Sequence, residues 1–349
     1  MIRDQNSVPP ARIPTLADVA RHAGVSTATV SRSLNTPEQV GRETRARVLS
    51  AVQDLGYAPN FNARALAAKR SNTVGVVIPT MENAIFARGI QAFQEELGLH
   101  GLTLLIASSS YRQDLESRQI HTLVARGADA LLLIGYQRAP EVYEFLNQRG
   151  VPTLVAWAFD RQQTHPAIGF DNVQAMTALA RAVIGHGHRR LAMISAHMRD
   201  NDRARDRVAG VRAAMQEAGL PTAELTLIET HYGFDSGAAA LREIMAKAPD
   251  TTAVLCGNDV LAVGALQGAR EMGLDVPGQL SVTGFDDIDL ATIAEPSLTT
   301  VHVPHREMGR RAAQMLVAIL NGEAKARTHE LQTSLSLRQS LARRPTGAT

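Results

Sequence analysis

The chain has 349 residues, of which 45% are hydrophobic, enough for two or three domains with large apolar cores. No apolar run reaches the roughly 18 residues of a membrane span, and no signal-peptide pattern opens the chain. With Cys256 as the only cysteine, which excludes an internal disulfide, we expect a cytoplasmic protein. The net charge of +2 is uneven, because residues 11–70 hold nine Lys/Arg against four Asp/Glu, a local +5.

Residues 1–14 carry three prolines and few apolar side chains, which predicts a disordered arm. The next segment reads TLADVARHAGVSTATVSRSLN and predicts two short amphipathic helices around Gly24. Thr15 can cap the first helix, with Asp18 as the partner in a capping box. The apolar stripe of this helix is formed by Leu16, Val19, Ala20 and Ala23. Gly24 permits the left-handed conformation that ends the helix and turns the chain.

The second helix buries Val30 and Leu34, and Ser26 can cap its start. Small polar residues and one arginine remain on its outer face: Thr27, Ala28, Thr29, Ser31 and Arg32. This is the layout of a helix-turn-helix, whose second helix enters the DNA major groove. An ordinary helical hairpin has the same local pattern. Here the hairpin coincides with the basic region, as binding to phosphates requires, and this favours DNA binding.

A third helix from Arg42 to Leu55 ends at Gly56 and completes a predicted headpiece over residues 15–59. Residues 60–72 form the predicted hinge segment or linker. Its alanine-rich part is too short for a stable isolated helix, since helices below about 12 residues are marginal in water.

From Thr73 onward, strand-like runs alternate with helical stretches in two similar series. The predicted strands are Val74–Ile78, Leu102–Ile106, Ala130–Ile134, Thr153–Ala156, Leu191–Ile194, Leu225–Ile228, Ala253–Cys256 and Leu280–Thr283. This alternation predicts two α/β lobes of parallel sheet over residues 73–340, followed by a tail at 341–349. Ligands in such folds lie outside the carboxyl ends of the strands, where polar residues stand in this sequence.

Four motifs in order resemble the lactose-repressor (LacI) family of bacterial transcription regulators: TLADVARHAGVSTATVSRSLN, TRARV with LGYAPN, GNDVLAVGAL and VTGFDD. The resemblance spans residue 15 to about residue 337. It implies an α/β fold with a three-helix headpiece and a two-lobed core like that of periplasmic binding proteins. It also implies a homodimer on pseudo-palindromic operator DNA, acting as a repressor, with a small effector between the lobes. A sugar or sugar acid is the expected effector, and no cofactor, metal or membrane partner is expected.

The residue chemistry indicates which side chains contact DNA. Thr27 and Ala28 suit thymine methyl groups, and Arg32 suits the guanine major-groove edge, with a phosphate contact as its alternative. Predicted phosphate contacts are Thr15, Ser26, Thr29, Ser31, Asn35 and Thr44. The resemblance implies that Asn60 to Ala67 forms a hinge helix that also touches DNA, through Asn60, Ala63 and Leu66. Leu66 would wedge into the central base step of the minor groove, while a plain linker is the alternative for the free protein.

For the effector, the resemblance implies Arg207, Asn258 and Asp286 as ligand contacts, with Asn83 and Phe86 closing the cleft from the other lobe. Trp157 stacks on a sugar ring or is plain core, and Asp171 binds effector or caps a helix. The candidate effector-binding residues are therefore Asn83, Phe86, Trp157, Asp171, Arg207, Asn258 and Asp286. We expect Asp259 and Asp287 to cap or bridge, and His186 with His188 to occupy a loop.

Two other functions compete with a repressor. An enzyme could use the acidic cluster of Asp286, Asp287 and Asp289 for acid–base chemistry. The sequence has no P-loop, no dinucleotide-binding glycine motif and no nucleophile elbow, so no catalytic residue is predicted. The second competing function is that of a solute-binding protein of a transport system, but this function leaves the basic headpiece unexplained. The resemblance also implies that tetramers of the family form through an appended leucine-heptad tail. The chain has the polar, proline-containing end SLARRPTGAT instead, so we expect a dimer.

Overall fold

The computed structural model describes residues 13–58, 70–82, 85–163, 165–323 and 328–344. The chain divides into two compact units, Met1–Ser71 and Asn72–Thr349. Residues 1–12 of the predicted arm, 60–69 of the predicted hinge segment and 345–349 of the predicted tail lie outside the described part, as does residue 59 at the end of the predicted headpiece.

The first unit contains the three expected helices: α1 (Leu16–Ala23), α2 (Thr27–Asn35) and α3 (Arg42–Leu55). Thr15 and Asp18 form the predicted capping box at α1, and Gly24 ends that helix with φ 67°. At α2, the Ser26 hydroxyl accepts the Thr29 amide at 3.1 Å. A short 3₁₀ turn, Pro37–Gln39, follows α2 and was not predicted.

A small apolar core holds these helices together. Val19, Val30 and Val48, one from each helix, are fully buried and pack in a single cluster. Tyr57 joins this cluster from beyond the end of α3. Burying a side chain of this size stabilises by about 1.5–3 kcal/mol, so a few residues fix the orientation of α2.

The second unit begins with a six-stranded sheet in the order β11-β5-β4-β3-β1-β2. Its strands are β1 (Thr73–Ile78), β2 (Thr103–Ser108), β3 (Ala130–Ile134), β4 (Thr153–Ala156), β5 (Ala167–Gly169) and the late β11 (His329–Glu330). Its helices are α4 (Ala87–Leu99), α5 (Gln113–Ala125), α6 (Pro140–Gln148) and α12 (His305–Leu320). Apolar clusters lie on both faces of this sheet, as the continuous apolar strands predict.

The second lobe has the order β12-β10-β9-β8-β6-β7. Its strands are β6 (Leu191–Ala196), β7 (Thr226–Thr230), β8 (Ala253–Cys256), β9 (Ser281–Asp286), β10 (Thr299–His302) and β12 (Ser334–Ser336). Its helices are α7 (Asn172–Gly185), α8 (Asp202–Glu217), α9 (Phe234–Lys247), α10 (Asp259–Glu271) and α11 (Asp289–Ile293), with a 3₁₀ turn at Thr222–Glu224. The expected pair of parallel lobes is confirmed, except that β12 runs antiparallel to β10.

The chain crosses between the lobes three times: from β5 to α7, from β10 to α12 and from β11 to β12. All three crossings leave from the same side of the two sheets, so this side is the hinge. The edge strands β2 and β7 lie on the opposite side. The carboxyl ends of the parallel strands border the gap between the lobes, which we call the interlobe cleft.

Candidate functional site

The outer face of α2 presents Thr27, Ala28 and Arg32 to solvent. The Arg32 guanidinium makes no hydrogen bond or ion pair within residues 13–58, whereas Arg21 pairs with Asp18 at 2.9 Å. The exposed Arg42, together with Arg45 and Arg47, adds positive charge on α3. This surface therefore offers methyl groups, a hydroxyl and an unpaired guanidinium to a partner.

The side chains predicted to contact phosphates mostly have bonds inside the headpiece. The Thr15 hydroxyl donates to Asp18 at 2.6 Å, and the Asn35 amide donates to the Ser31 hydroxyl at 3.2 Å. The Ser26 and Thr29 hydroxyls lie 2.9 Å apart. These groups, with Thr44, are exposed or half-buried, so their remaining lone pairs are open to solvent.

Four predicted site residues lie outside the described part of the chain: Asn60, Ala63, Leu66 and Asn83. Their roles stay predictions.

Unusual backbone conformations mark the interlobe cleft. Among the described residues, six that are not glycine have positive φ, and five of them follow or end strands at the cleft: Ser110, Tyr111, Trp157, Asp286 and Asp287. Such conformations cost about 1–3 kcal/mol each and cluster at ligand sites, which makes the cleft the candidate site of the second unit.

Arg207, on α8, is 5% exposed and is held by residues of the second lobe. Its Nε donates to Asn172 Oδ1 at 2.9 Å, and its Nη1 donates to the Gly257 carbonyl at 2.6 Å. The guanidinium carbon lies 3.8 Å from the centre of the Phe285 ring, a cation–π contact. Nη2 lies 3.6 Å from Asp286 Oδ1, beyond hydrogen-bond distance. The sequence placed Arg207 and Asp286 at this site but gave no sign of Asn172 as their support.

Trp157 is 1% exposed and sits where the hinge side meets the cleft. Its indole N–H donates to His305 Nδ1 at 3.0 Å, and His305 Nε2 lies 3.2 Å from the Asp286 carbonyl. A neutral His305 with its proton on Nε2 satisfies both contacts, and burial lowers its pKa to about 4. Phe86 packs edge-on against Trp157 at 5.3 Å. A Cβ at Gly89 would overlap the indole, so glycine is needed on α4.

Asp286 and Asn258 are buried with unused polar atoms. Both Asp286 carboxylate oxygens and the Asn258 side-chain N–H₂ group lack a hydrogen-bond partner among the described residues. Burial raises the pKa of Asp286 to about 6, against the opposing charge of Arg207. Asn258 Oδ1 caps α10 by accepting the Leu261 amide at 2.9 Å.

Other residues serve the fold in the way that their sequence context predicts. Asp171 caps α7 by accepting the Gln174 amide at 2.9 Å. Asp259 accepts from Thr300 and from the Ile288 amide, and Asp287 accepts from Arg338 and Ser336.

The histidine and the cysteine that the sequence analysis singled out are both buried. His188 is buried against Thr252, and Cys256 is core. Across the described residues, no group of three or more metal-ligating side chains exists, and no described helix is long and apolar enough to cross a membrane.

Sequence reasoning missed the contacts that join the lobes far from the hinge. The Asp202 carboxylate accepts the backbone amides of Tyr136 at 2.5 Å and Gln137 at 3.2 Å, from the other lobe. We call this contact the interlobe clasp. Burial would raise the pKa of Asp202, but Arg203 and these amides more than offset burial and lower it. Gly135, at φ 72°, has no room for a Cβ beside Asp202.

An aromatic pair lies at the same distal side. Tyr111 follows β2 and Tyr232 follows β7, and their ring centres are 5.3 Å apart. A small cavity of about 20 Å³ adjoins Tyr111, Gln137 and Arg203. The signal that could have found both tyrosines is their place after strand ends, the rule that selected Asn258 and Asp286.

Comparison with protein families gives two matches. Residues 15–60 match the family described as bacterial regulatory proteins, lacI family. Residues 180–341 match the periplasmic binding protein-like domain. Catabolite control protein A of Priestia megaterium is 32% identical over 88% of this chain and 93% of its own. The HTH-type transcriptional repressor PurR of Vibrio campbellii is 32% identical over 94% and 98%.

Two solved structures of transcriptional regulators are similar to this chain over almost its whole length. The lac repressor dimer bound to operator and the anti-inducer ONPF has a TM-score of 0.84 at 25% identity, covering 95% of this chain and all of that one. The complex of the transcriptional regulator CelR with cellobiose has a TM-score of 0.69 at 31% identity, covering 94% of this chain and 99% of that one.

Proposed function

The chain belongs to the lacI family of bacterial regulatory proteins, and from this premise we propose that it is a repressor that binds a specific operator and is controlled by a small effector in the interlobe cleft. The observation that carries the DNA-binding half is the outer face of α2. Both helices of the helix-turn-helix begin with a side-chain cap, and α2 exposes Thr27 and Ala28. The Arg32 guanidinium on the same face has no partner in residues 13–58.

On DNA, Thr27 and Ala28 contact thymine methyl groups, and Arg32 donates to guanine O6 and N7. The hydroxyl and amide groups around them bind phosphates, which fixes the register of α2 in the groove. This second group consists of Thr15, Ser26, Thr29, Ser31, Asn35 and Thr44. The predicted hinge residues Asn60, Ala63 and Leu66 extend the contact into the minor groove when two copies bind together.

For the effector, we propose that Arg207, Asn258 and Asp286 supply the polar contacts. Asn83 and the aromatic pair of Phe86 and Trp157 would bound the site on the first lobe, with Asp171 at its margin as a helix cap. The unused polar atoms of Asp286 and Asn258 support this place. The complex of the relative CelR with cellobiose supports a sugar as the kind of ligand. A sugar or sugar acid is the effector class that follows.

The mechanism is a population shift between closed and open clefts. An effector that prefers one state moves the equilibrium by its difference in affinity, and typical coupling to a second site is about 1–3 kcal/mol. We propose a homodimer, because a two-fold operator requires two headpieces about one helical turn apart. The lac repressor structure is also that of a dimer on its operator.

An enzymatic function is the competing proposal, and the names of two relatives speak against it, since PurR is named a transcriptional repressor and CelR a transcriptional regulator. Two of the three acidic residues that suggested it have structural partners: Asp287 pairs with Arg338, and Asp289 pairs with Arg88.

The test is a selection of genomic fragments by the full chain, followed by gel-shift titration. The proposal predicts enrichment of a pseudo-palindromic site and binding that weakens steeply with salt. Screening sugars and sugar acids for a change in operator affinity tests the effector half. Unchanged affinity with every effector that binds the cleft would refute control by effector.

A further inference from the structure

The chain enters the second unit at the amino-terminal edge of the first sheet. β1 begins at Thr73, and its neighbours begin beside it, since the amides of Thr103 and Asp129 donate to the carbonyls of Asn72 and Thr73, both at 2.8 Å. This edge lies at the opposite end of the strands from the interlobe cleft. We call it the entry face, and it consists of residues 71–73, 100–103, 126–130 and 149–153.

Two arginines of the entry face have no acidic partner among the described residues. Arg126 follows the last residue of α5 and Arg149 follows that of α6, and both side chains are exposed. The other arginines between residues 73 and 163 each form an ion pair with an acid: Arg88, Arg112, Arg118, Arg138 and Arg161. A cation at a helix C-terminus gains about 0.3–1 kcal/mol from the helix dipole, but this leaves the guanidinium donors unused.

Contacts between α5 and α6 hold the two helix ends side by side. His121 of α5 stacks on Phe145 of α6 with ring centres 4.1 Å apart. The Arg149 guanidinium carbon lies 5.7 Å from the centre of the same Phe145 ring, a cation–π contact. Both helices also bury their apolar side chains in one cluster against the sheet. Arg126 and Arg149 therefore stand on the same side of the entry face.

The entry face is cationic, although the rest of the second unit is acidic. Residues 71–349 carry a net charge of −3, because residues 1–70 carry +5 and the whole chain carries +2. Within the entry face, the only acid is the half-buried Asp129, against the exposed Arg126 and Arg149. A polyanion is therefore attracted to this face and not to the unit as a whole.

We propose that the entry face binds the phosphate backbone of the operator duplex through Arg126 and Arg149. This inference rests on the proposed DNA-binding function and extends the contact beyond the headpiece and hinge. The chain from residue 58 to residue 70 spans at most about 40 Å even when fully extended, so it tethers the entry face near the DNA that the headpiece holds. A guanidinium group can bind two phosphate oxygens at once, and such contacts carry no sequence information.

The experiment measures the salt dependence of DNA binding by the full chain. The double variant Arg126→Gln/Arg149→Gln and the wild-type protein are titrated by fluorescence anisotropy against the operator and against a scrambled duplex of equal length, from about 50 to 200 mM salt. The matched control is Arg212→Gln/Arg343→Gln. It removes the same charge from two exposed arginines of the second unit that form no ion pair with a described residue.

Each phosphate contact contributes about 0.9 to the slope of log affinity against log salt concentration. In the proposed dimer the double variant removes four arginines, so we expect the slope to fall by about 1 to 4. At the lowest salt concentration, affinity should fall at least about tenfold on both duplexes, because phosphate contacts do not depend on sequence. The control should keep the wild-type slope and affinity, and circular dichroism melts should show that both variants fold. Each single variant, Arg126→Gln or Arg149→Gln, should give about half the change in slope.

Three results would overturn the proposal: wild-type slope and affinity in the double variant, an equal loss in the control, or a loss confined to the operator. The last result would assign the two arginines to contacts other than phosphates. If the wild-type protein binds DNA and the double variant matches it, only the present inference fails. If the wild-type protein shows no salt-sensitive binding to any duplex, the proposed function fails with it.

Discussion

Replacing Asp202 by asparagine tests whether the interlobe clasp holds the cleft closed. The Asp202 carboxylate accepts two amides from the first lobe, those of Tyr136 and Gln137, and it lies far from the hinge strands. Opening about the hinge separates distal contacts the most, so the energy of the clasp belongs to the closed state alone. Asparagine keeps one acceptor oxygen but removes the charge.

The two hydrogen bonds to Asp202 set the expected loss of free energy from the closed state. Hydrogen bonds to a charged group contribute about 1.5–3 kcal/mol and neutral ones about 0.5–1.5 kcal/mol. A loss of about 1–2 kcal/mol from the clasp lowers the ratio of closed to open molecules roughly 5- to 30-fold. Because the proposed effector site includes residues of both lobes, effector affinity should fall by up to a similar factor.

Trp157 provides the assay, since it is the only tryptophan, is 1% exposed and reaches the second lobe through His305, which contacts the Asp286 carbonyl. Acrylamide should quench its fluorescence more strongly in Asp202→Asn than in the wild-type protein. Asp206→Asn is the matched control, because Asp206 lies about one turn further along α8 and bonds to no described residue of the first lobe. Equal quenching in all three proteins would refute the reasoning.

Asp286→Asn should stabilise the fold at pH 7 by up to about 3 kcal/mol, because burial raises the pKa of Asp286 from 3.8 to about 6 and each pKa unit is about 1.4 kcal/mol. Because the pKa is raised, the native state binds more protons than the unfolded state between about pH 4 and 6. The stability of the wild-type protein therefore rises as pH falls through this window, and the difference in free energy of unfolding from the variant shrinks. Urea melts that show a constant difference across this range would contradict this. Thr15→Ala removes the capping box of α1 and should destabilise the headpiece by about 1 kcal/mol, seen as a lower Tm of its transition. Arg32→Ala should leave that transition unchanged, since its guanidinium has no partner in residues 13–58, yet weaken operator binding by about 1–3 kcal/mol; equal operator affinity would remove Arg32 from the interface. Leu66→Ala should cut operator affinity at least about tenfold by removing the minor-groove wedge, while effector affinity is unchanged in calorimetry.

Local features could be predicted well from the sequence. The caps at Thr15 and Ser26, the turn at Gly24 and the end of α3 at Gly56 depend on residues a few positions apart. Such contacts are set by the backbone's own unpaired groups, so residue type and spacing are sufficient. The apolar strands were recognisable for a similar reason, since strands covered on both faces need continuous apolar runs.

Contacts between distant segments could not be predicted. Asp202 meets Tyr136 across 66 positions, and Trp157 meets His305 across 148. Nothing in the local sequence of Asp202 indicates that backbone amides from another lobe will surround it. Four short strands were not predicted: β5, β10, β11 and β12. Each has too few residues to show a strand pattern, and β11 and β12 also pair with strands that lie much earlier in the chain.

The position of Arg207 and Asp286 came from resemblance, but their chemical state required the structure. Only the three-dimensional contacts show that Asn172 and the Gly257 carbonyl occupy the guanidinium while the carboxylate oxygens receive no bond from a described residue.

The most direct test of the central claim, that α2 reads the edges of DNA bases, is guanine-methylation interference on the operator selected from the genome. The account predicts that N7-methylation of guanine in each half-site blocks the wild-type protein. Arg32→Ala, if it still binds, should be insensitive at that position. No salt-sensitive binding to any genomic fragment, or interference that is the same with and without Arg32, would contradict it.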